Sequence, residues 1–197
     1  MAYPTVDKPY GLKPVNLIGG LPFAGATRQI PIASGYATSL FFGDLVKVDT
    51  NGQVVIESGT TSASPAGIFL GCSYTNPSTK QKLFAQYYPA STVASDIVAY
   101  VADDPNTLFK VAVVSGTTVV ASVARAVVGA NMSLVQNAGL TATGNSQVAV
   151  LSSSAATTNT LPIRVIDVVP ETATGADAFV ELIVKINTHQ YTNATGV

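Results

Sequence analysis

The sequence predicts an all-β protein: a β-barrel or β-sandwich body, built from two similar β units, behind an extended N-terminal arm. Three observations carry that prediction. Short β-branched and aromatic runs recur along most of the chain, and turn residues interrupt them at close intervals. No window shows a convincing helical stripe of apolar residues with a charged opposite face. Pro4, Pro9, Pro14, Pro22 and Pro31 exclude a regular helix or central strand from the first thirty or so residues.

That opening segment, residues 1–38, is not a polar linker. Tyr3, Tyr10, Leu12, Leu17, Ile18, Leu21 and Phe23 are interleaved with its prolines and glycines. An extended segment with apolar anchors and no core of its own needs another surface to lie on. An irregular strip packed on its own domain and an arm laid on a partner both satisfy the pattern.

From about Ser39 the β runs begin. Leu45-Val46-Lys47-Val48 and Gln53-Val54-Val55-Ile56 flank Asn51-Gly52, a strong hairpin signal because both turn residues tolerate positive φ. Gly67-Ile68-Phe69-Leu70-Gly71 reads as the next strand, and Lys82 to Tyr88 as another. Asp96 to Val101 and Leu108 to Val114 flank the turn Asp103-Asp104-Pro105-Asn106 and read as a second hairpin. Residues 39–115 are therefore expected to form a first β unit.

The second unit, 116–197, is expected to repeat the theme, the two packing as one body. Met132 to Gln136, Gln147 to Leu151, Ile163 to Val169 and Ala178 to Ile186 read as strands, the last alternating for part of its length. Val119 to Val128 has the alanines of a short helix but too many β-branched residues for one. A faint internal echo runs between the units. Gly43-Asp44-Leu45-Val46 is matched in type by Gly129-Ala130-Asn131-Met132, and Gly67-Ile68-Phe69-Leu70 by Ile163-Arg164-Val165-Ile166.

Charge is the unusual feature of the composition. The chain has 10 basic and 11 acidic residues, 11 % of its length, against about 25 % in typical soluble domains. Apolar content, 47 %, is ordinary, so Ser, Thr, Asn, Gln and Gly fill the shortfall. With a formal net charge of −1, little keeps copies apart, which favours a protein built to assemble. The start lacks a signal-peptide pattern, and no apolar run approaches the roughly 18 residues of a membrane span. The basic residues form no cluster, so neither a nucleic-acid nor a membrane partner is expected.

Catalytic chemistry finds few candidates. His189 is the only histidine and reads as an exposed residue near the C-terminus; Cys72 is the only cysteine and reads as a small core residue. One of each argues against a zinc site and against a Ser-His-Asp or Cys-His system. Asp103-Asp104 read as a solvated turn rather than a calcium site, and Gly19-Gly20 with Gly25 lack the flanking elements of a phosphate loop. No catalytic residue, metal or cofactor is expected.

Several strings carry a resemblance. Pro9-Tyr10-Gly11-Leu12-Lys13-Pro14-Val15, Phe23 to Ile32, Gly43-Asp44-Leu45-Val46-Lys47, Ala66-Gly67-Ile68-Phe69-Leu70-Gly71 and Tyr100 to Pro105 are similar to stretches of head decoration, or cement, proteins of tailed bacteriophages, particularly those infecting aquatic bacteria. The similarity runs through roughly the first half and thins after about residue 115. It implies a non-enzymatic protein made in the host cytoplasm and located on the capsid exterior of the virion. Its implied partners are the major capsid protein and further copies of itself, as dimers or trimers. Tyr3, Tyr10, Leu12, Phe23 and Arg28, in the arm, are the residues expected to meet a partner. Two other readings remain: a carbohydrate- or cell-binding module of a tail fibre or spike, with Tyr87-Tyr88 or Tyr191 as its platform, and a tail-tube component. A hydrolase is the most distant.

Overall fold

The computed structural model describes residues 6–193 and residue 196. It is all-β, the only helices among the described residues being short 3-10 turns. Sixteen strands follow in chain order among the described residues. The first eight are β1 (Lys13–Leu17), β2 (Arg28–Pro31), β3 (Leu45–Val48), β4 (Val54–Ile56), β5 (Gly67–Thr75), β6 (Lys82–Ala85), β7 (Val98–Ala102) and β8 (Thr107–Val114). Then come β9 (Val123–Ala124), β10 (Asn131–Met132), β11 (Leu134–Val135), β12 (Ala149–Leu151), β13 (Ile163–Val168), β14 (Ala173–Gly175), β15 (Ala178–Phe179) and β16 (Glu181–Ile186). No helix among the described residues is long and apolar enough to cross a membrane.

Two large sheets and a small three-stranded one, β14-β15-β9, make up the body. The first runs β2-β7-β5-β3-β4, with β6 on the far end of β5; the second runs β10-β13-β16-β8-β12-β11, with β1 also on β8. The expected hairpin between residues 96–101 and 108–114 does not form. Both edges of β7 are taken, by β2 and β5, while β8 pairs with β16, β1 and β12. Asp103–Asn106 is therefore a crossover between sheets. The crossover carries the chain from the first sheet to the second, and the first sheet takes β2 from the arm.

Within each sheet four strands repeat one antiparallel arrangement. The order β2-β7-β5-β3 in the first is matched by β8-β16-β13-β10 in the second, so the first strand pairs with the fourth, the fourth with the third and the third with the second. The register agrees as well. Each third strand carries a bulge opposite its fourth, which leaves out Leu70 in β5 and Ile166 in β13. Turn hydrogen bonds coincide. Gly43 N–H donates to Phe69 O and Phe69 N–H to Asp44 O (2.8 and 2.9 Å), as Gly129 does to Val165 and Val165 to Ala130 (2.9 and 3.0 Å). Gly43 and Gly129 have φ values of 94° and 88°, a left-handed geometry that disfavours a Cβ. The sequence echo therefore marks equivalent positions.

The arm is sewn onto this body. β1 pairs with the edge of β8, and residues 15–23 return as a hairpin, with Leu17 N–H donating to Leu21 O (2.7 Å) and Phe23 N–H to Val15 O (3.3 Å). Gly11 sits at φ 78° so close to Gly43 that a Cβ would come within 2.8 Å of the Gly43 carbonyl oxygen. Leu12, at 0 % exposure, enters a core shared by Leu45 and Ile68 of the first unit and Phe109, Met132, Ile163 and Leu182 of the second. A separate core inside the first unit gathers Ile30, Leu40, Val46, Phe69 and Tyr88.

Shorter details depart from expectation. β6 ends at Ala85 instead of continuing to Tyr88, and the strand expected over Ala178–Ile186 is broken at Val180 into β15 and β16. Residues 119–128 hold β9 and a 3-10 turn, Arg125–Val127.

Candidate interaction surface

The residues expected to meet a partner fall in different places. Tyr3 lies outside the described residues. Leu12 has no surface to offer, because it belongs to the shared core. Tyr10 is turned inward: its hydroxyl donates to Glu181 Oε1, and Lys13 Nζ sits 4.5 Å from its ring centroid. Glu181 is 4 % exposed, and Lys110 Nζ lies 3.3 Å from the same carboxylate oxygen. Burial first, then the hydrogen bond and negative charge of Glu181, push the Tyr10 hydroxyl far above its ordinary pKa. The group pins the arm to β16 and β8.

Phe23 is half-buried, on the return of the β1 hairpin. Arg28 is exposed at the end of β2; its Nε lies 2.7 Å from Asp103 Oδ2, and its guanidinium lies 5.2 Å from the Tyr191 ring centroid. Tyr88 cannot form a platform, since it is fully buried, and Tyr87 is stacked on Phe41 at 5.5 Å. Tyr191 is partly covered by Arg28.

Among the described residues the most exposed large apolar side chain is Phe84, at 75 % exposure. Strand alternation explains its placement. Cys72 and Tyr74 of β5 and Leu83 and Ala85 of β6 point into the first unit's core, so Phe84, opposite Ser73, must point out. Val98 and Tyr100 of β7 are on the same outer face, with the Tyr100 hydroxyl 3.2 Å from Ser73 Oγ. A groove of about 620 Å³ runs beside Phe84; its walls include Phe42, Leu70 and Tyr100, and Lys13 is the one charged residue lining it. Across its rim Gln86 Nε2 donates to Asn145 Oδ1 at 2.8 Å. A second exposed apolar feature is the β1 hairpin tip, where Leu21 is 64 % exposed and Ile18 is also exposed.

The two units differ here. On the second sheet, Tyr10 and the arm cover the outer face at Lys110 and Glu181, which correspond through the shared register to Gln29 and Val98 of the first. On the first sheet the arm reaches the groove only through Lys13 and leaves Phe84 exposed.

Cys72 is buried in the first unit's core, and burial pushes its thiol up to about 12. His189 is buried, at 1 % exposure, contrary to its expected exposure. The C-terminal segment folds back onto the first unit, which encloses it. Among the described residues no group of three or more His, Cys, Asp or Glu side chains is placed to hold a metal.

No family model matches the chain, and no curated protein or solved structure is significantly similar to it.

Proposed function

We propose that this chain is a non-enzymatic virion structural protein that binds the outside of a tailed-phage capsid and bridges subunits of the major capsid protein. The observation that carries the reading is Phe84, a phenyl ring 75 % exposed on a sheet face whose groove has a single charged residue. Leaving such a ring in water is unfavourable by about 1.5–3 kcal/mol relative to burial, and covering it with a partner recovers that energy. The scarcity of charge fits a surface that spends its working life covered. The phage resemblance supplies the partner. The contact we assign combines the outer face of the first sheet around Phe84 with the exposed tip of the arm's own hairpin, Ile18 and Leu21. Copies placed by capsid symmetry would add their weak contacts through avidity.

A carbohydrate-binding module is the second reading, favoured by one feature: Phe84 and Tyr100 line a groove that also carries the amides Gln86 and Asn145. Aromatic faces with adjacent amides suit a sugar ring. Glycan-array binding that is lost in Phe84→Ala, without binding to capsids, would establish this reading in place of the first.

A further inference from the structure

After β16 the chain leaves the second unit and closes onto the first. Asn187 still holds the second, through its N–H to Pro162 O (2.7 Å) and Nδ2 to Leu161 O (3.0 Å). The next residues grip the first unit. Thr188 Oγ1 donates to Ala63 O, and Gln190 N–H to Pro65 O at 2.8 Å. The Gln190 side-chain amide copies a backbone pair, accepting from Val48 N–H (3.0 Å) and donating to Val48 O (2.9 Å). Asn193 Nδ2 reaches Ser64 Oγ at 2.6 Å. Gln190 and Tyr191 form one wall of a cleft of about 460 Å³, whose other walls are Arg28 and Ile30 of β2, Val48 of β3 and Gly52 of the following turn.

His189 is the hinge pin of this closure. Its Nδ1 accepts the Tyr191 backbone N–H at 3.2 Å and so caps the 3-10 turn Gln190–Thr192. A neutral ring that accepts at Nδ1 carries its proton on Nε2, and Nε2 is buried without a hydrogen-bond partner. A second proton therefore has only Nδ1 to go to. It would set two N–H donors against each other and place a positive charge in a site closed to water.

We propose that His189 is an acid-sensitive latch: protonation of Nδ1 breaks the cap on Tyr191, frees residues 188–193 from the first unit and opens the cleft between β2 and the β3–β4 turn. The charged groups around it are few. Asp103 and Asp104, on the crossover, and the Ala66 carbonyl favour the protonated ring, whereas Lys185 of β16 opposes it. Arg28 neutralises Asp103 from the far side and holds the Tyr191 ring, which lies 5.2 Å from the imidazole. Burial outweighs the carboxylates and holds the histidine below its ordinary value. The sign follows: above about pH 6.5 the closed and open states bind the same number of protons there, and below it the open state binds more. Closure is thus favoured at neutral pH and weakens as the pH falls, by about tenfold in the opening equilibrium per pH unit until the closed-state pKa is reached.

The only histidine in the chain gives an unobstructed reporter. Full-length protein would be titrated from neutral to acid pH by ¹⁵N NMR of the imidazole, with amide hydrogen exchange followed in parallel. The expected result is an Nε2–H tautomer, a pKa below that of a free histidine, and exchange at Gln190, Tyr191 and Val48 that rises with protonation beyond its intrinsic pH dependence, while β8 and β16 stay protected. His189→Asn, which keeps an acceptor for the cap but cannot titrate, should flatten that rise. An Nδ1–H tautomer, an ordinary pKa, or a pH response unchanged in His189→Asn would overturn the proposal. If that variant fails to fold, the wild-type tautomer and exchange data decide alone.

Discussion

Single residues fix how the arm is held. Tyr10 donates to a carboxylate that is almost fully buried, so Tyr10→Phe leaves Glu181 with Lys110 as its remaining partner. Losing one hydrogen bond to a buried, charged acceptor costs about 1–3 kcal/mol. The variant should lose stability by that order in urea unfolding; an unchanged midpoint would show that the hydroxyl contributes nothing to holding the arm. Cys72 allows a second check. Its buried thiol, raised to about 12 and donating to Tyr87 O at 3.6 Å, should resist a thiol reagent at pH 8 in the native protein and react promptly once unfolded. Rapid native labelling would mean that the first unit's core opens readily. The sequence was least informative at this scale. Leu12 stands in a Pro/Gly-rich segment and Phe84 in a β-prone run, yet the first is wholly buried and the second is among the most exposed. Only the pairing of β5 with β6 decides which way Phe84 faces, and that pairing is not written locally. The burial of His189 is not legible locally either, since its neighbours Thr188 and Gln190 bond residues 63, 65 and 48, which are distant in sequence.

At the level of elements, local signals were legible and long-range pairing was not. Asn51-Gly52 gave the β3–β4 hairpin because turn chemistry is local. Asp103-Asp104-Pro105-Asn106 has equally good turn chemistry, but it joins strands whose edges are already occupied, so it crosses between sheets. The echo of Gly43-Asp44-Leu45-Val46 in Gly129-Ala130-Asn131-Met132 survived because each glycine must adopt positive φ at the same point of the repeated motif. These two glycines offer a matched test. A Cβ at Gly129 meets nothing within 4 Å, so Gly129→Ala should cost only the conformational strain, about 1–2 kcal/mol. At Gly43 the added carbon would lie 3.1 Å from the Gly11 Cα and from the Leu12 backbone, so Gly43→Ala should be clearly the more destabilising in thermal unfolding. Equal losses would argue that the arm does not pack on that turn as described.

For the whole molecule, two copies of one four-stranded motif share a core, yet their outer faces are treated differently. The arm covers the second sheet at Lys110 and Glu181; the first sheet keeps Phe84 in the open. An arm stitched down by Leu12, β1 and β2 is part of the fold and does not detach without loss of core and sheet. Composition alone indicated a protein made to be covered. Under the proposed function, the face around Phe84 is the one a partner would cover. Exposed Phe84 contributes little to folding, so Phe84→Asp should leave unfolding within about 0.5 kcal/mol of wild type, as is usual for surface substitutions. A larger change would mean that the ring is packed within its own chain.

The most direct measurement is cosedimentation of the purified wild-type and Phe84→Asp proteins with phage capsids stripped of accessory proteins, with capsid melting followed in the same samples. Saturable wild-type binding that raises the capsid melting temperature is expected, with binding weakened by tenfold or more in Phe84→Asp through loss of at least about 1.4 kcal/mol of buried contact. No wild-type binding would contradict the capsid function, and full binding by Phe84→Asp would contradict the face assigned to it.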